Sequence, residues 1–161
     1  MLKFLKIVMY TVLSIVVLIV GGAIAAFVLL GDSGKLNAES KAYADDAVVA
    51  ISTKWNREEL LRRAAPALRE SLKPDDLDNL FAALNTLGPL VEYQGAQGQA
   101  HAQATIRTGK QVSAKYLASA RFERGIAQIE LSLIKPEADW MIVGFHVHSP
   151  ALIENLVGRK S

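Results

Sequence analysis

Residues 112–123 read Val112-Ser113-Ala114-Lys115-Tyr116-Leu117-Ala118-Ser119-Ala120-Arg121-Phe122-Glu123. Val112, Ala114, Tyr116, Ala118, Ala120 and Phe122 would share one face of a strand, with Ser113, Lys115, Leu117, Ser119, Arg121 and Glu123 on the other. A period of two with one apolar face marks a strand buried on one side. The same period recurs around it. Ala100, Ala102, Ala104 and Ile106 alternate with polar residues over 99–107, and Ala127, Ile129, Leu131 and Leu133 do so over 126–135. From Trp140 to His148 the pattern puts Met141, Val143, Phe145 and Val147 on the core face. Turns are predicted at Gln94 to Gln99, at Thr108-Gly109-Lys110, at Gly125 and at 135–139. Consecutive strands with one apolar face predict an antiparallel meander covered by helices.

Upstream the period becomes helical. Tyr43, Ala47, Val48, Ile51 and Trp55 form one stripe over 39–55. Asn56 caps a second helix, with Glu58 and Glu59 in its first turn, and Pro66 ends or kinks it. Pro74 opens a third, with Asp75, Asp76 and Asp78 at its start, and turns Leu77, Leu80, Phe81, Leu84 and Leu87 inward until Gly88-Pro89. A short strand follows near Leu90–Gln94. The fold class is α+β, with three helices on an antiparallel sheet of four to five strands.

At the other end of the 161-residue chain, Ile7 to Leu30 contains no charged residue and is far more apolar than the 51% hydrophobic content of the whole. At about 1.5 Å per residue a helix of that length crosses a hydrocarbon core of about 30 Å. Ala23-Ile24-Ala25 resembles a signal cleavage site, which would release a secreted domain, but Phe27 to Leu30 prolong the apolar run beyond it. The span therefore reads as an uncleaved single-pass anchor. Lys3 and Lys6 precede it, so the positive-inside rule places 1–6 in the cytoplasm, 7–30 in the membrane and the rest outside. In a bacterium that is an inner-membrane protein with a periplasmic domain. Residues 31–38 form the linker, 39–149 the domain and 150–161 a tail with a short amphipathic helix.

The helical block ending Leu87-Gly88-Pro89-Leu90, the strand Tyr116 to Phe122 entering a hairpin at Arg124-Gly125, and the closing strand Trp140 to Val147 carry a family likeness. Over nearly all the region after the anchor, the chain resembles the NTF2-like (cystatin-like, SnoaL-type) α+β cone, particularly its small membrane-anchored or secreted bacterial members. The resemblance implies a fold more than an activity, because the superfamily holds enzymes, carriers and scaffolds. Its enzymes use an Asp, His or Tyr projecting into the cone, and here Tyr116 is the main polar-tipped inward residue.

Composition excludes several functions. Apart from Lys3 and Lys6, the 18 basic residues are matched by the 16 acidic ones, and without a basic stripe nucleic acid is not an expected partner. With no cysteine there is no disulfide framework, thiol nucleophile or iron–sulfur cluster. His101, His146 and His148 read as surface residues, and the acidic pairs Asp45-Asp46, Glu58-Glu59 and Asp75-Asp76 as solvated or capping groups. No nucleotide, zinc-protease, hydrolase or EF-hand motif occurs. No cofactor and no catalysis are expected. Two features point to recognition. Trp140, Ile142 and Gly144 are predicted to form an apolar strip on the outer sheet face, and Leu152, Ile153 and Leu156 an apolar face of the tail. The expected role is a membrane-tethered interaction domain that binds an envelope protein or pairs with itself. The alternative is a carrier or enzyme for a small apolar ligand, with Tyr116 as the polar handle of its pocket.

Overall fold

The computed structural model describes residues 34–105 and 109–152, without the side chains of 104, 105, 109 and 110. The span 7–30, the first linker residues 31–33, and Ile153 and Leu156 lie outside the described residues. No helix among the described residues is long and apolar enough to cross a membrane. Contacts divide the chain into two units, Met1–Leu36 and Asn37–Ser161.

The second unit is α+β, with helices followed by a four-stranded antiparallel sheet in the order β1-β2-β3-β4. The meander is as the period of two required. Helix α1 (34–52) buries Ala44, Ala47, Val48 and Ile51. Its end is a Schellman turn, in which the Asn56 N–H donates to the Ile51 carbonyl at 2.7 Å and Trp55 takes φ 48°. That left-handed position normally favours glycine. Trp55 occupies it because its ring stacks on Phe122 at 4.8 Å and its indole donates to the Gly88 carbonyl at 3.3 Å.

Asn56 caps α2 (Arg57–Arg63) by accepting from the backbone of Glu58 and Glu59. Pro66 does not merely end that helix. It opens a further one, α3 (Pro66–Ser71), so among the described residues four helices precede the sheet where three were predicted. The junction Ala64–Ala65 is extended and bridges Ile142, with the Ala65 N–H donating to the Ile142 carbonyl at 2.8 Å. Helix α4 (Pro74–Asn85) buries Leu77, Phe81 and Leu84, but Leu80, predicted inward, is 39% exposed.

The first departure in the sheet is β1 (Leu90–Thr105), which runs through the predicted turn at 94–99 and joins two predicted strands into one. Its pairing with β2 (Gly109–Phe122) shifts register between Tyr93 and Ala96, where Gly95 has φ +94°. A bulge absorbs the glycine that looked like a turn. Gly98 is needed for a different reason: a Cβ there would lie 1.9 Å from the Lys115 carbonyl oxygen. Both glycines serve a strand, not a loop.

The second departure is in β4 (Met141–His148), which pairs with β3 (Gly125–Lys135). Ser132 faces Gly144 but Leu133 faces Ile142, so β4 carries one extra residue between them. A one-residue shift reverses which face every following side chain takes. Phe145 and Val147 oppose Leu131 and Ile129 on the inner face, as predicted. Ile142 joins them there at 0% exposure, and Trp140 is 8% exposed. Met141 and Val143, predicted inward, are half-buried. The predicted outer strip of Trp140 and Ile142 does not exist, because the bulge turned both into the core.

Candidate functional site

Tyr116 is 2% exposed and its hydroxyl is engaged on α1, 2.7 Å from Ser40 Oγ and donating to the Asn37 carbonyl at 3.3 Å. It lines neither of two large concavities among the described residues. The expected pocket around Tyr116 is filled by α1, and its phenol is a core group satisfied across the helix–sheet interface.

A second polar cross-link joins α1 to the β1 bulge. Asp45 accepts from Tyr93 Oη at 2.6 Å, from the Ala96 N–H at 3.1 Å and from Lys41 Nζ at 2.7 Å. Burial acts to raise the Asp45 pKa, but these bonds outweigh it and hold the carboxyl below its ordinary value. Burial and the same carboxylate push the Tyr93 phenol up, so it stays a donor. With the folded pKa lowered, the stabilisation by Asp45 is complete above its ordinary value of 3.8 and is lost as pH falls from there through the lower folded value. Asp45→Asn should therefore be less stable than the parent at neutral pH, with the difference narrowing on acidification. Urea midpoints measured against pH test this, and a constant difference would overturn it.

The remaining predicted contact residue, Leu152, does reach a surface concavity. Leu80 and Leu84 of α4, Ile126 of β3, Val147 of β4, Pro150 and Leu152 line a groove of about 690 Å³, open on one side. The start of the tail is fixed beside it. Ser149 is buried and its hydroxyl donates to the Ile126 carbonyl at 2.8 Å, while a Cβ on Gly125 would come within 3.0 Å of Ala151 Cβ. The Leu152 N–H closes a turn on the Ser149 carbonyl at 3.1 Å. Leu80 at 39% and Ile126 at 57% exposure flank the groove. Sequence periodicity missed this site because it assigned Leu80 to the core. The placement of Ile126 out of phase with Ala127, Ile129 and Leu131 was the legible signal.

The second concavity, about 710 Å³, lies between α1, the α2–α3 junction and the β3–β4 loop, and includes Trp140. The histidines do not converge: His101 is on β1 and His146 and His148 on β4, at opposite edges of the sheet. No group of three metal-ligating side chains occurs among the described residues. Comparison of the chain with protein-family models, with curated proteins and with solved structures finds no match.

Proposed function

We propose that the chain is a non-catalytic interaction domain, held at the periplasmic face of a bacterial inner membrane by the span 7–30, that docks an apolar segment of a protein in the groove between α4 and β3–β4. The observation that carries this is the groove itself, with Leu80 and Ile126 exposed on its walls. An apolar concavity flanked by exposed large side chains is a recognition surface. Tethering raises the effective concentration of the domain for other residents of the same membrane. The helices-then-meander order and the bulges in β1 and β4 support an NTF2-like cone as the scaffold. Tyr116, the polar group on which the enzymes of that family would lead one to focus, is committed to packing.

Leu80→Asp and Ile126→Asp should leave stability within about 0.5 kcal/mol, as exposed substitutions do. Both should abolish crosslinks between the groove and its partner in native membranes. Links to another envelope protein would make the domain an adaptor, and links between copies a self-associating one. Links that persist unchanged in both variants would overturn the groove reading. The volume of the groove also falls within the range of about 300–1,000 Å³ used by small-molecule sites. A small apolar ligand is therefore the second reading. Native mass spectrometry would reveal it as an added mass that the same two substitutions remove.

A further inference from the structure

We propose that the cleft between α1, the α2–α3 junction and the β3–β4 loop binds a phosphate oxyanion, carried by a free small ligand or by a lipid headgroup. The inference is independent of the groove and can fail or stand without it. Tyr43, Arg62, Arg63, Arg69, Lys135 and Trp140 are among the residues that line the cleft.

The indole nitrogen of Trp140 is the one buried side-chain polar atom without a hydrogen-bond partner among the described residues. Leaving such a donor unpaired carries its full desolvation penalty. Arg69 stands at the same junction. Its guanidinium donates to the Ala64 carbonyl at 2.9 Å, and Ala64 bridges Ile142, two residues from Trp140. Among the described residues Arg69 has no carboxylate partner. The other cations are engaged: Arg62 by Glu59, Arg63 by Asp46 and Glu59, and Lys135 by Glu39 at 2.7 Å. Those pairs fix the walls, with Arg63 5.6 Å from the Tyr43 ring centroid and Lys135 5.7 Å from that of Trp140. Burial raises the Tyr43 pKa against the opposing pull of Arg63, so its phenol keeps a proton.

The cleft is thus lined by Arg69, whose guanidinium is free of carboxylate, by the Tyr43 phenol and by Trp140, whose unpaired indole N–H lies buried behind its surface. Neither the indole nitrogen nor Arg69 is met by a carboxylate among the described residues. Glu39 is occupied by Lys135, and Asp139, the other carboxylate of the lining, is exposed on the loop. A phosphate group supplies three strong acceptor oxygens and suits the planar fork of arginine. The indole nitrogen is shielded as the side chains stand, so binding includes a side-chain shift to admit an oxygen to it.

The test follows the indole N–H resonances of the full chain, labelled with ¹⁵N-tryptophan, in dodecyl maltoside micelles, which contain no phosphate. One arm is titrated with inorganic phosphate and the other with phosphatidylglycerol. Trp140→Phe assigns the two signals. The Trp140 proton should move downfield and saturate, whereas that of Trp55, already bonded to Gly88, should stay. Arg69→Gln should weaken binding roughly tenfold or more. Lys54→Gln, exposed and outside the cleft, should leave it unchanged. The Trp55 signal reports that each variant is folded, and Arg69→Lys replaces Arg69→Gln if that one is not. Saturation by inorganic phosphate supports a free ligand, and saturation by phosphatidylglycerol alone supports a headgroup. No shift with either probe, or a shift that loss of the Arg69 guanidinium leaves untouched, overturns the proposal.

Discussion

Replacing Trp140 and Ile142 together by Ser should leave the domain unfolded at room temperature. Ile142 is fully buried opposite Leu133, and its carbonyl accepts from the Ala65 N–H that seats the α2–α3 junction. Truncating a buried Ile costs about 2–5 kcal/mol and a buried Trp about 3–5 kcal/mol. Each new serine also brings a hydroxyl into an apolar site. The sum approaches the whole stability of an ordinary domain, about 5–15 kcal/mol. Circular dichroism and urea titration of the double and single variants would read the loss. If the double variant keeps its melting transition while losing association, the two side chains lie at the surface and the bulged register of β4 is wrong.

Phe122→Ala should cost about 3–5 kcal/mol, the range for deleting a buried aromatic ring. The consequence extends beyond its own cavity. Phe122 is the platform on which Trp55 stacks, and Trp55 holds the left-handed residue that ends α1. Without the ring, the left-handed φ of 48° is held by the indole bond to Gly88 and the turn bond from Asn56 to Ile51. Trp55 emission should shift to the red together with the drop in urea midpoint. Phe122→Leu, which keeps most of the volume, should lose less stability but show a similar spectral change. A loss below about 1 kcal/mol for Phe122→Ala would mean the stack is not part of the core.

The two variants fall on opposite sides of what could be read in advance. Phe122 lies on the regular part of β2, where each residue pairs with β3 without interruption, so alternation assigns its face correctly. Trp140 and Ile142 lie before a bulge in β4, and alternation counted from the far end of the strand assigns them to the wrong face. Gly95 and Gly98 mislead in the other direction. Glycine promotes turns and also permits bulges and close strand approach, and nothing local separates these uses. Leu80 has the helical spacing of a core residue, yet it stands at the edge of the α4 stripe, where the sheet ends and the groove begins. Of the candidate site residues, Leu152 was legible because a short apolar stripe after Ser149-Pro150 needs something to cover it. The Trp140 cleft was not legible, since it joins α1, α3 and β4, which are distant in sequence.

Periodicity determined that helices precede an antiparallel meander and that β2 and β3 bury alternate residues, and capping and first-turn residues that Asn56 and Pro74 begin helices. These are consequences of backbone geometry acting over a few neighbouring residues. Only the tertiary structure decided which face Ile142 and Trp140 take, that one strand crosses Gly95, and that Tyr116 is spent on α1. It also decided that the Trp140 indole N–H, in a cleft that Arg69 also lines, is left without an acceptor. Register and hydrogen-bond satisfaction depend on which distant backbone arrives opposite a residue, and a shift of one position reverses a face without changing a local preference.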